Sequence, residues 1–158
     1  MKLAACLALS VLALAQDGKV PQSGGDIPKT VNVPQDSYDY VKREVMIPMR
    51  DGVKLFTSIV VPKGAKNAPI LLTRTPYNAS ARTELNHSSR MIATLPQGDE
   101  VFVADGYIRV FQDVRGKYKS EGDYWMTRPV RGPLNRSDTD HVTDTYDTID
   151  WLVKNTPE

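Results

Sequence analysis

Apolar and polar positions fall into three different rhythms along this chain, and each predicts a different element. Val41-Lys42-Arg43-Glu44-Val45-Met46-Ile47-Pro48-Met49 alternates with a period near two, the pattern of a half-exposed strand. Arg50-Asp51-Gly52 carries a hairpin-turn signal, and residues 53–61 return as a second strand closed by Pro62. Ala68-Pro69-Ile70-Leu71-Leu72-Thr73-Arg74 is nearly continuous apolar sequence, which predicts a strand covered on both faces. Residues 75–99 predict loop, with a helix around 88–95. Residues 101–105 lead into a further strand over 106–114, and a long polar, Gly-containing loop follows to residue 135. The third rhythm is helical. Val142, Tyr146, Ile149 and Val153 recur as one apolar stripe. Ser137-Asp138-Thr139-Asp140 offers N-cap residues and a capping box ahead of it. Asp138, Asp140, Asp144 and Asp147 crowd the first half and Lys154 lies near the end, as the helix dipole favours.

The N-terminal 37 residues follow no such rhythm. Met1-Lys2 gives a short positive start, residues 3–15 are apolar, and Ala13-Leu14-Ala15 before Gln16 fits a small-x-small cleavage site. This pattern predicts a signal peptide over 1–15, too short to span a membrane as a helix. The expected location is therefore secreted or periplasmic, with no membrane attachment after cleavage. Cys6 falls inside the removed segment, in a string like a lipoprotein box whose preceding apolar stretch is too short. The mature chain would hold no cysteine, so disulfide and thiol chemistry drop out. Residues 16–37, with Gly24-Gly25 and three prolines, predict a flexible arm with little to bury.

Charge and composition narrow the function by exclusion. Twenty basic residues balance nineteen acidic ones, for a net charge of +1, and no basic face stands out, so nucleic acid is not an expected partner. The four helix aspartates lack the glycine and glutamate spacing of an EF-hand and are expected to form a solvated helix face rather than a metal site. No cofactor is expected. His87 and His141, the two histidines, are expected to be a solvated loop residue and an exposed first-turn residue. Ser120-Glu121-Gly122 has Tyr118 where a nucleophile elbow needs its first glycine, so Ser120 is expected to be loop structure. Arg109 and Arg115 flank the 106–114 strand, and a salt bridge from Arg115 to Asp113 is expected to fix the long loop. Asn78, Asn86 and Asn135 begin glycosylation sequons, and a glycan on Asn78 would crowd Tyr77.

Tyr77 is the candidate for chemistry. It follows the buried strand in Arg74-Thr75-Pro76-Tyr77. Taken by itself, a tyrosine packed beneath its loop is the commoner case. The wider pattern reverses that balance. Tyr38-Asp39-Tyr40-Val41-Lys42-Arg43-Glu44-Val45, Met49-Arg50-Asp51-Gly52-Val53-Lys54-Leu55, Arg74-Thr75-Pro76-Tyr77-Asn78 and Asp113-Val114-Arg115-Gly116-Lys117-Tyr118-Lys119-Ser120-Glu121-Gly122 occur in that order, with Leu95-Pro96-Gln97-Gly98-Asp99 between and Asp147-Thr148-Ile149-Asp150-Trp151-Leu152 after. The ordered set, over residues 38–158, resembles the α-amino acid ester hydrolases, or β-lactam acylases, which group with cocaine esterase and the X-Pro dipeptidyl-peptidases.

The resemblance implies an α/β fold, here the N-terminal half of an α/β-hydrolase with a mixed sheet. It implies a Ser-Asp-His triad acting through an acyl-enzyme on small α-amino acid esters and amides, β-lactams included. It also implies that Tyr77 supplies an oxyanion-hole hydroxyl, paired with the backbone N–H after the nucleophile. The implied Gly-x-Ser-x-Gly strand and the triad residues have no positions in this chain, so it is expected to be part of a longer hydrolase and inactive alone. The competing expectation is a non-catalytic secreted binding or scaffold module, and a third is a hydrolase of the X-Pro dipeptidyl-peptidase or cocaine esterase kind. The resemblance also implies exchange of N-terminal arms between subunits, so the 16–37 arm is expected to serve a homo-oligomer. An isolated 16–158 segment is expected to aggregate or to be molten, which a sharp two-state thermal transition would contradict.

Overall fold

The computed structural model of the chain describes residues 37–158. The signal segment, Cys6 and all but the last residue of the arm lie outside the described residues. Strands β1 (Tyr40–Pro48) and β2 (Lys54–Pro62) form the expected hairpin, paired antiparallel from Tyr40↔Pro62 to Pro48↔Lys54. The turn closes through Met49 N–H to the Val53 carbonyl and Gly52 N–H to the Met49 carbonyl, with Gly52 at a φ of 85° that a side chain resists. Strands β3 (Ile70–Thr75) and β4 (Ile108–Asp113) are parallel, as a long crossover permits, and β4 pairs antiparallel with β2. The sheet order is β1-β2-β4-β3.

Three short helices occupy the β3–β4 crossover: α1 (Ala79–Arg82), α2 (Met91–Thr94) and α3 (Glu100–Ala104). The helix expected over 88–95 is therefore a single turn, and the run leading into β4 is itself helical. Helix α4 (His141–Asn155) follows the long loop and starts on the expected capping box. Asp140 accepts from Thr143 N–H, and the Thr143 hydroxyl accepts from Asp140 N–H.

Side-chain alternation splits the core in two, one half on each face of the sheet. Leu55, Ile59, Val61, Ile108 and Val110 pack with Leu152 of α4 on one face. Phe56, Val60 and Phe111 pack with Ala79, Met91 and Leu95 of the crossover on the other. The same alternation sends Gln112 toward α4 and Arg109 and Asp113 toward the crossover helices.

Two expectations fail here for one reason each. Strand β3 is only half-buried along most of its length, because it stands at the end of the sheet order and its outer edge pairs with no strand among the described residues. The apolar stripe of α4 exists but faces outward: Val142, Tyr146, Ile149 and Val153 are 64%, 67%, 49% and 71% exposed. The buried side is Asp144, Thr148 and Leu152. Polar groups dock this helix because the sheet offers them matched partners. Gln112 donates from Nε2 to the Thr57 and Thr148 hydroxyls, Arg74 donates to the Thr145 hydroxyl and the His141 carbonyl, and Arg115 donates to Asp144. The aspartates thus do not form a solvated face, since Asp140 and Asp144 are both buried.

An exposed apolar stripe beside an open strand edge invites association. The isolated 38–158 segment is expected to self-associate at micromolar concentration. Lysine at both Ile149 and Val153 should shift its sedimentation toward monomer. A monomeric parent with a sharp two-state melt would refute this.

Candidate active site

In an open α/β sheet, ligands bind beyond the carboxyl ends of the parallel strands. Here those ends are Thr75 of β3 and Asp113 of β4, which are register partners. The chain leaves β3 through Pro76 and Tyr77, and a cleft of about 380 Å³ opens beside them, walled in part by Arg82, Pro96 and Phe111. Tyr77 is 67% exposed, so it is not packed beneath its loop.

Its backbone is tightly held. Tyr77 N–H donates to the Thr75 hydroxyl at 3.0 Å, and two residues on, Ala79 N–H donates to Asp113 Oδ1 at 2.7 Å. Between them Asn78 adopts a left-handed conformation, φ 58°, which asparagine tolerates better than most residues. Its side-chain oxygen caps α1 by accepting from Ala81 N–H. Asp113 is fully buried, and burial pushes its carboxyl above the ordinary range, although the N–H donors of Ala79 and Lys119 pull the other way.

The loop after β4 turns back onto the sheet. Ser120 is the hinge of that contact: its hydroxyl donates to the Asp113 carbonyl at 2.7 Å and accepts from Phe56 N–H at 2.8 Å. It is buried loop structure, as expected. Gly116 sits at φ 69°, where a Cβ would lie 2.2 Å from the Tyr124 backbone nitrogen, which explains the glycine in Asp113-Val114-Arg115-Gly116.

Arg115 does not pair with Asp113. It donates to Asp51 at 2.7 Å and 3.2 Å and to Asp144 at 2.6 Å and 3.1 Å. Burial alone would lower its pKa, but these bonds raise it above its ordinary value. The correction follows from geometry: Asp113 ends β4 pointing to the crossover side, while Arg115 reaches the hairpin turn and α4. Arg109, expected to flank β4, lies within it and is buried between Asp99, the Leu71 carbonyl and the Phe111 ring.

His87 is exposed and lines a separate cleft of about 560 Å³ with Tyr40, Lys42 and Glu84. His141 opens α4, half-buried rather than exposed, with Nε2 3.1 Å from the Trp125 carbonyl. Neither histidine lines the cleft beside Tyr77. The amide nitrogens of Asn86 and Asn135, where a sugar would attach, already donate to backbone carbonyls. Sequence reasoning missed Thr75 and Asp113 as partners of the Tyr77 turn. The one signal for them was their place at the ends of two predicted strands.

The sheet order, the crossover and the loop at the carboxyl end together define a segment of an α/β-hydrolase. Residues 51–158 match the family described as X-Pro dipeptidyl-peptidase (S15 family), and the chain belongs to that family of hydrolases. It superposes on an α-amino acid ester hydrolase with a TM-score of 0.77 and 64% identity, over 89% of this chain and 22% of that one. An aminopeptidase from the marine sediment archaeon Thaumarchaeota archaeon gives a TM-score of 0.77 with 57% identity, over 87% and 23%. The cocaine esterase of Rhodococcus sp. (strain MB1 Bresler) is 31% identical over 115 residues, 72% of this chain and 17% of that enzyme. The chain therefore spans about a fifth of the length of these relatives.

Proposed function

We propose that this chain supplies the oxyanion side of a serine hydrolase that cleaves or transfers acyl groups of α-amino acid esters and amides, β-lactams among them. The observation that carries the reading is Tyr77: an exposed phenol at the carboxyl end of a parallel strand, on a backbone held by hydrogen bonds, beside a cleft. A serine from the remainder of such a hydrolase attacks the substrate carbonyl. The Tyr77 hydroxyl donates to the oxygen as it becomes negative, an alcohol or amine departs, and water or a second amine takes the acyl group. The 64% identity to an α-amino acid ester hydrolase supports the ester, and the 57% identity to an aminopeptidase supports the amide.

In this reading the chain by itself is inactive, because the nucleophile, acid and base come from outside it. The enzyme is exported and acts in the periplasm or medium. A non-catalytic scaffold role fits less well, because such a module has no use for a phenol held at the reactive end of the sheet.

A graft tests the reading. Residues 38–158 replace the matching segment of the 64%-identical α-amino acid ester hydrolase, and hydrolysis of an α-amino acid methyl ester is followed. Turnover by the graft supports the proposal. A graft that is folded by circular dichroism yet inert defeats it.

A further inference from the structure

The turn that presents Tyr77 is gripped from two sides, by side chains that end two neighbouring strands. We propose that the Thr75 hydroxyl and the Asp113 carboxyl form a positioning clamp that sets the Tyr77 phenol for catalysis; the inference rests on the oxyanion role proposed for Tyr77.

Three observations converge on it. First, the two acceptors bracket the Tyr77-Asn78 unit: Thr75 Oγ1 takes Tyr77 N–H at 3.0 Å and Asp113 Oδ1 takes Ala79 N–H at 2.7 Å. Second, both acceptors are rigidly based. Thr75 and Asp113 are partners in the parallel ladder, and the Thr75 carbonyl accepts from Val114 N–H at 3.0 Å, locking the two strand ends together. Third, the buried carboxyl accepts its hydrogen bonds from backbone N–H groups, one of them in the turn that carries Tyr77. Asp113 is fully inaccessible, and among the described residues no salt bridge reaches it, its partners being the backbone N–H groups of Ala79 and Lys119. A buried carboxyl without a paired cation is expensive unless its hydrogen bonds are needed. Here the shorter of them fixes the residue after a left-handed Asn78, the point at which a small backbone rotation would swing the tyrosine ring.

Positioning of this kind matters because an oxyanion donor works only within hydrogen-bond reach of the oxygen in the transition state. A displacement near 1 Å can lower the rate about 100-fold. Thr75 and Asp113 touch no substrate in this account; they act through Tyr77.

The test is a double-mutant cycle in the grafted hydrolase, with kcat and KM measured separately. Asp113→Ala is expected to lower kcat by about 10- to 100-fold with KM nearly unchanged. Tyr77→Phe added to it should cost far less than the same change does alone, bringing the double variant to about the kcat of Tyr77→Phe by itself, since a misplaced hydroxyl has already lost most of its effect. Asp113→Asn, which keeps an oxygen acceptor for Ala79 N–H, should recover most of kcat. Should Asp113→Ala fail to fold, Thr75→Val decides the matter. It removes the other acceptor at nearly constant volume and should show the same fall in kcat and the same non-additivity with Tyr77→Phe.

A merely structural role for Asp113 would lower thermal stability, while the kcat losses of Asp113→Ala and Tyr77→Phe would multiply independently. That outcome overturns the clamp and leaves the oxyanion role standing. If Tyr77→Phe by itself leaves kcat unchanged in an active graft, the oxyanion role fails, and the clamp falls with it.

Discussion

Replacing Tyr77 with phenylalanine in the grafted hydrolase is expected to lower kcat roughly 100- to 1000-fold, the usual loss of one oxyanion donor. KM should stay close to its starting value. The substitution removes one oxygen from a ring that is 67% exposed, and the backbone contacts that hold the residue, through Tyr77 N–H and Ala79 N–H, survive it. Folding should therefore be untouched. The lost interaction is made only when the carbonyl oxygen turns negative, so it belongs to the transition state and not to the bound substrate. Steady-state kinetics on an α-amino acid ester, beside a melting curve for the same variant, separates the two effects. A fall in kcat with unchanged melting carries the assignment, while unchanged kcat reduces Tyr77 to a surface residue.

Asp144→Ala should produce the largest loss of stability. Asp144 and Arg115 have side chains only 2% and 5% exposed, joined by bonds of 2.6 Å and 3.1 Å, and Arg74 lies 3.6 Å from the same carboxylate. Removing the aspartate leaves Arg115 with Asp51 alone and leaves Arg74 buried with weaker compensation. Breaking a buried pair from one side costs about 3–5 kcal/mol. In the graft this should appear as a markedly lower temperature of thermal inactivation and faster proteolysis of the β4–α4 loop. Asp147→Ala, which breaks the surface pair with Arg50, provides the contrast, and its effect should be much smaller. Equal effects from the two substitutions would mean that the Arg115 network does not hold α4 to the sheet.

That network also marks where the sequence misleads. Period-two alternation places β1, and the turn signal at Arg50-Asp51-Gly52 with Pro62 places β2, within a residue of their observed ends, because both signals are contained in a short local window. The capping box at Asp140 is equally local and equally legible. The stripe of α4 is read correctly as a stripe and wrongly as the buried side. Helical periodicity says which residues share a face, not what that face meets. With Arg74 and Gln112 on the sheet and Arg115 just past the end of β4, the polar side of α4 finds partners worth burying, and those partners lie up to 71 residues away in sequence. The same distance hides the true partners of Arg115, since Asp113 is two residues away in sequence but points to the opposite side of the sheet.

The sequence by itself determined the four strands, the last helix and their order, which are written in short windows through side-chain periodicity, turn chemistry and capping, while the candidate tyrosine came from the ordered motifs that carry the family resemblance. Only the tertiary structure decided that β3 stands at an open edge, that α4 docks by its polar face, and that Thr75 and Asp113 grip the turn bearing Tyr77. Those facts depend on the pairing of β3 with β4 across a 32-residue crossover. Strand pairing of that range is settled by the summed burial and hydrogen bonding of the whole sheet, which no single stretch of the chain contains.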